Sequence, residues 1–183
     1  VFSLLWQKRF APFFGSMVLG AFNDNLFKSS LAIMIAYGMV KERADLLVQA
    51  SAGLFILPFF ILSGISGQIC DKFEKASIIR FTKWFEVVIM LMGAVGFFYE
   101  NVAFLMFVLF LMGVHSTLFG PCKYSILPQH LKGHELLSGN GLTSMGTFLA
   151  ILAGTILGGQ LASKNMIESY GHWPIAIGIV AAA

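Results

Sequence analysis

Phe22-Asn23-Asp24-Asn25-Leu26-Phe27-Lys28 is a polar knot inside an apolar segment. Phe10 to Ala21 before it and Ser29 to Val40 after it carry no charge. As one helix the segment exceeds the roughly 20 residues that cross a bilayer, and the knot falls near its middle. An ionisable group at that depth is costly, so it faces a protein interior or a wet cavity. Asp24 and Lys28 are four apart on one helix face, with the acid on the N-terminal side, and Asn25 shares that side. Pairing of Asp24 with Lys28 would ease insertion. Two apolar residues would insert more cheaply still, so the knot reads as a functional site within a membrane helix.

Composition extends that reading to the whole chain. Of 183 residues, 57% are hydrophobic and only 11% charged, where a soluble domain is about 25% charged. With a mean hydropathy of +0.82, the expectation is an all-α, polytopic membrane protein. The formal net charge of +3 is too small to indicate a nucleic-acid partner. The chain starts at Val1 rather than Met and stops at Ala183 within an apolar run, as a fragment of a longer protein would. The first apolar segment is too long for a cleavable signal peptide and has no small-residue cleavage site after it. Cys70 and Cys122 are the only cysteines. Reduced, unpaired thiols near the cytoplasmic face are expected, without the neighbours a metal site needs.

Taken in order, the expected spans are 10–40, 46–69, 81–98, 102–127, 140–162 and a truncated sixth from 174 to 183. Lys41-Glu42-Arg43-Ala44-Asp45 and Asp71-Lys72-Phe73-Glu74-Lys75 are charged connections, Tyr99-Glu100-Asn101 is a tight turn, and 128–139 is a polar loop. Pro58 is expected to kink the second span, and Gly120-Pro121 to break the fourth. One set of alternate loops carries Lys8, Arg9, Lys72, Lys75, Arg80, Lys83, Lys123 and Lys132; the other carries Lys41, Arg43 and Lys164. The richer side is cytoplasmic by the positive-inside rule, which puts the N-terminus inside. Tyr99, Tyr170 and Trp173 then fall at the outer boundary, where aromatic residues collect. Gly146, Ala150, Gly154, Gly158 and Ala162 form a small-residue stripe in the fifth span, read as a packing face for another helix.

The stretch after the second span, Gly67-x-Ile69-x-Asp71-Lys72-x-x-Lys75, resembles the signature between spans two and three of the major facilitator superfamily. The resemblance implies two six-span halves of inverted three-span repeats, this chain being the N-terminal half with its sixth helix truncated. It also implies a cytoplasmic gate at Gly67, Asp71, Lys72 and Lys75, with Asp71 braced against the C-terminal half. In such a repeat, span one corresponds to span four. Both carry a polar or proline interruption, and paired interruptions point to the binding site. Lys123 follows Pro121 in the fourth span, and Ser116, seven residues earlier, shares its face. The expected substrate-binding residues are therefore Asp24, Lys28, Lys123, Asn25, Asn23 and Ser116, able to meet an anionic phosphate and a nearby ammonium together.

Asn23-Asp24-Asn25, Gly120-Pro121-x-Lys123-Tyr124-x-Ile126-Leu127 and Gly139-Asn140-Gly141-Leu142 together resemble the bacterial lysophospholipid transporters. Lys8-Arg9-Phe10-Ala11-Pro12, leading to the knot, is similar to the form fused to acyltransferase and acyl-carrier-protein ligase domains. The resemblance implies movement of lysophosphatidylethanolamine and related lysolipids across the bacterial inner membrane for re-acylation, by alternating access. It makes the partners the lysophospholipid, membrane lipids, the C-terminal half and a fused or associated acyltransferase. A mostly apolar cavity with a few convergent charges suits one head and one tail better than a sugar, which needs many hydroxyl partners.

Enzyme signals are weak, and no cofactor, metal or catalytic residue is expected in this segment. His130, His134 and Glu135 look superficially like metal ligands, but two ligands do not make a site and Gly133 argues against a helix holding them. No phosphate loop and no Ser-His-Asp arrangement is legible. His115 reads as a packed, neutral histidine or a proton relay. Glu86 reads as reaching the interface or a partner helix. Two other functions stay open: a proton-coupled carrier of another solute with Asp24 as proton carrier, and a membrane anchor for an acyltransferase.

Overall fold

A computed structural model describes residues 2–39 and 43–183. Among these residues the chain is helical, without strands. The helices are α1 (Ala11–Met34), α2 (Ala44–Lys72), α3 (Lys75–Phe98), α4 (Val102–Ser125), α5 (Leu127–His130), α6 (Leu136–Leu161), α7 (Lys164–Tyr170) and α8 (Trp173–Ala182). A single π-helical turn, Ile35–Met39, prolongs α1. Lys41 and Glu42 of the first charged connection lie outside the described residues.

Local chemistry sets several boundaries. Pro12 and Pro174 sit in the first turns of α1 and α8, where a missing N–H leaves no bond unmade. The Asn101 side chain caps α4 by accepting the Phe104 N–H at 3.0 Å. Glu100, just before it, has φ +53, the left-handed conformation that the tight turn demands.

α2, α3, α4 and the stretch Gly133–Leu161 are long and apolar enough to cross a membrane. At 24 residues α1 has the length, about 36 Å at 1.5 Å per residue, but the knot lowers its hydropathy. The chain is an all-helical, polytopic membrane protein.

Several helices outrun the apolar stretches, because hydrogen bonding continues into polar ends. α2 extends through Asp71 and Lys72, and α3 begins at Lys75, so only Phe73 and Glu74 connect them. Arg80 and Lys83 are thereby inside α3. The 128–139 stretch is not an open loop: α5 and a 3-10 turn, Gly133–Glu135, occupy it before α6 starts at Leu136. The expected break at Gly120-Pro121 is also absent, since α4 runs on to Ser125. Pro121 leaves the Thr117 carbonyl without its helical N–H donor, and the Ser66 hydroxyl of α2 donates to that carbonyl at 2.6 Å.

α1 packs along α6, α2 along α4, and α3 against α4 and α8. The main core joins Phe27 and Leu31 of α1 to Ile89 and Phe97 of α3, Leu109 of α4 and Ile179 of α8. Phe27 meets Phe97 edge-on at 5.2 Å between centroids. The small-residue stripe of α6 faces α1. At Gly146 an added Cβ would meet Phe14, at Gly154 the Phe22 carbonyl and at Gly158 the Leu26 carbonyl. Ser29 and Ser30 of α1 donate to the Thr155 and Gly158 carbonyls of α6 at 3.0 and 3.1 Å. Close approach plus interhelical hydrogen bonds is how helices associate in lipid, where hydrophobic burial gives little.

A second, smaller cluster of Leu4, Phe10, Leu127, Leu131 and Leu142 ties the N-terminal segment to the α5 region. Arg9 reinforces it. Its Nη2 donates to both Glu135 carboxylate oxygens at 2.8 Å, and its Nη1 donates to the His130 carbonyl at 3.0 Å. The pair is only partly covered, so it adds little to stability. Arg9→Leu in the full-length protein is expected to leave the bundle folded but to speed limited proteolysis between Leu127 and Leu136. Unchanged cleavage would show that the apolar cluster alone holds the linker.

Candidate functional site

α1, α2, α4 and α6 enclose a cavity of about 280 Å³ around the knot. Its walls are Met17, Phe55, Phe59, Phe119 and Ile151, and its polar groups are Asp24, Asn25, Lys28, Lys83, His115, Ser116, Lys123 and Thr147. α1 and α4 supply most of these groups.

Asp24 is the cavity's central acid. The Ser116 hydroxyl of α4 donates to its Oδ2 at 2.9 Å, while its Oδ1 is buried without a partner among the described residues. No ion pair to Lys28 within 4.0 Å is present among the described residues. The Lys28 ammonium instead lies over the Phe55 ring of α2, 4.2 Å from its centroid. Lys123 donates to the Thr147 hydroxyl of α6 at 3.0 Å, and Thr147 in turn donates to the Thr143 carbonyl at 2.8 Å. Lys123 is therefore held across the cavity and not drawn to the helix end. The two lysines and the acid stand apart, each held by a neutral neighbour. Such a site offers cationic and anionic contacts at once to a dipolar head group.

The other expected site residues separate. Ser116 and Asn25 line the cavity, but the Asn25 amide donates back to the Ala21 carbonyl at 2.7 Å. Asn23 does not line it. It is fully buried, with both side-chain polar atoms unpartnered among the described residues, on the α1 face shared by Gly20 and Phe27, which meet α3. Gly67, Asp71, Lys72 and Lys75 lie near the α2–α3 connection, away from the cavity. His130 and His134 are exposed, and Glu135 is engaged by Arg9. Among the described residues no three His, Cys, Asp or Glu side chains come together as metal ligands do.

The expected substrate-binding set omits Lys83, His115 and Glu86, although the sequence marks His115 as a packed histidine or proton relay and Glu86 as reaching the interface or a partner helix. Lys83 of α3 reaches the cavity and His115 lines it, while Glu86 is buried beside both at 1% exposure. The available signal was the Lys83–Glu86 spacing of three, which places both on one face of α3. A larger groove, about 450 Å³, runs between α1 and α3 beside Pro12, Trp84 and Ala183. Its charges are Arg80 and Lys83 alone, with no acid, so it lacks the convergent polar groups of the knot cavity.

The sequence pattern of the MFS_3 family, described as transmembrane secretion effectors, matches residues 2–168. The chain belongs to this family. It is similar to proteins named lysophospholipid transporter LplT from Escherichia coli strain K12 / DH10B, Escherichia coli O157:H7 strain EC4115 and Shigella boydii serotype 18. Each is 30% identical over 177 residues, covering 95% of this chain and 42% of the relative. The chain thus spans about two-fifths of the length of these relatives. No solved structure matches it. Family and fold together make this chain part of a polytopic membrane protein of that family.

Proposed function

We propose that the chain is the N-terminal half of a lysophospholipid transporter, and that the knot cavity holds the lipid's head group. The carrying observation is the cavity itself: Asp24 and Lys28 on the α1 wall, Lys123 on the α4 wall, and aromatic and aliphatic side chains around them. A phosphate finds cations there, an ammonium finds Asp24, and the tail finds apolar surface. The names of the relatives support the same substrate class.

In this reading the C-terminal half closes the cavity, and Gly67, Asp71, Lys72 and Lys75 meet it at the gate. In the same reading the N-terminus and that gate lie on the cytoplasmic side of a bacterial inner membrane, an orientation that the distribution of Lys and Arg supports. Lysophosphatidylethanolamine moves by alternating access and is re-acylated by a fused or associated acyltransferase.

Membrane vesicles containing the full-length protein are expected to take up labelled lysophosphatidylethanolamine well above vesicles lacking it. Equal uptake by both, with the protein folded, would remove lysolipid as the substrate and leave only the fold. The unpartnered Oδ1 of Asp24 favours a second reading, in which this carboxylate also carries a proton. That reading requires uptake to collapse when the proton gradient is dissipated.

A further inference from the structure

Glu86 of α3 is wholly buried, with a side-chain exposure of 0%. Lys83 donates to its Oε2 at 2.5 Å, while its Oε1 has no partner among the described residues. His115 of α4 approaches from the other side, its Nε2 3.6 Å from the same Oε2, and its ring stacks on Phe119. α1 contributes Gly20 at this point. A Cβ there would fall 2.7 Å from the Lys83 ammonium and 3.2 Å from Glu86 Oε1.

The direction taken by Lys83 needs explanation. Side chains on a helix lean toward its N-terminus. For α3 that is the charged end, where Arg80 is exposed. A lysine there ordinarily runs its stem back to that end and keeps its ammonium in water. Glu86 lies almost one turn deeper, so the ion pair draws the ammonium inward against both tendencies. It arrives at the wall of the knot cavity, in the space that Gly20 leaves open.

Stability does not account for this arrangement. A buried pair bears a desolvation cost that two well-packed apolar residues would not. What the chain gains is a placed ammonium. It has three N–H donors and Glu86 engages one, leaving two for another acceptor.

We propose that Lys83 is a third cationic group of the knot cavity, positioned by Glu86 and His115 through the opening at Gly20, where it binds the phosphate of a single-chain phospholipid. This rests on the lysophospholipid reading of the cavity. Glu86 and His115 are positioning residues, since they act through Lys83.

The test is the concentration dependence of lysophosphatidylethanolamine uptake by vesicles of the full-length protein and three variants. Lys83→Met leaves Glu86 buried without its partner and risks misfolding, so Lys83→Met/Glu86→Leu removes the pair as a unit. The double variant is expected to raise KM roughly tenfold, as loss of one charge-assisted hydrogen bond does, with little change in limiting rate. Lys83→Arg is expected to retain most of the affinity. Gly20→Ala, which displaces the ammonium but keeps the charge, is expected to raise KM by a smaller factor. Wild-type KM in both the double variant and Gly20→Ala would overturn the proposal and make the pair a packing device. No uptake by the wild-type protein would overturn the lysophospholipid reading and this inference with it.

Discussion

Full-length protein carrying Asp24→Asn is expected to reach the membrane at the wild-type level and to lose at least about a hundredfold in lysophosphatidylethanolamine uptake. Asn has the shape of Asp, and its amide oxygen still accepts the Ser116 hydroxyl that Asp24 accepts at 2.9 Å. Packing between α1 and α4 should survive. Only the charge is lost. Breaking a buried charge interaction by removing one partner costs about 3–5 kcal/mol, and each 1.4 kcal/mol is about tenfold, so a hundredfold is the lower end. The loss falls on the ammonium side of the head group, because the phosphate side still has Lys28 and Lys123. Uptake is measured in vesicles, with size-exclusion of the solubilised protein as the folding control. Uptake within about threefold of wild type, from a monodisperse variant, would take Asp24 out of the substrate path.

How much of this site was legible depended on what the sequence constrains. A charge inside an apolar stretch must find a wet or protein-lined place, so the cavity at Asp24 and Lys28 followed from desolvation cost alone. Lys123 and Ser116 followed from helical spacing. What spacing cannot give is the neighbour across a helix interface. Asp24 and Lys28 share a face and invite pairing, yet Asp24 takes Ser116 of α4 and Lys28 takes Phe55 of α2. Asp24 and Asn25 both line the cavity, while Asn23 lies on the α1 face it shares with Gly20 and Phe27. Which of these three positions faces the cavity is set by where the neighbouring helices pack.

Lys83 shows the same limit from the other direction. Near the charged end of the third apolar stretch, it read as a topology signal. Its stem direction is decided by Glu86 on its own helix and by the absence of a side chain at Gly20 on another. The proline at 121 was legible as a break in the fourth span, but not the Ser66 hydroxyl on α2 that takes up the carbonyl it frees while α4 stays continuous. In each case the residue type was informative about need, and the tertiary partner decided how the need was met.

Gly154→Val is expected to destabilise the full-length protein by about 3 kcal/mol, the upper end for overpacking, and to sharply lower the yield of folded protein. At Gly154 the two helices meet backbone to backbone. A Cβ would press on the Phe22 carbonyl and come within 3.1 Å of the Leu26 nitrogen. A side-chain neighbour can change rotamer, but a helical carbonyl moves only if α1 moves. Displacing α1 from α6 stretches the bonds from Ser29 and Ser30 to the Thr155 and Gly158 carbonyls. It also separates the knot, which begins at Phe22, from Thr147, the α6 partner of Lys123. Gly159→Ala is the control. Its Cβ would meet the Ile33 methyl at 3.4 Å and the Ser29 hydroxyl at 3.8 Å, ordinary contact on the adjacent face. Thermal unfolding of the solubilised proteins separates the two: a lowered midpoint for Gly154→Val beside a near-wild-type Gly159→Ala supports backbone contact at the stripe. Equal midpoints would mean that α1 and α6 have slack at Gly154, and that the stripe does not set the position of the knot.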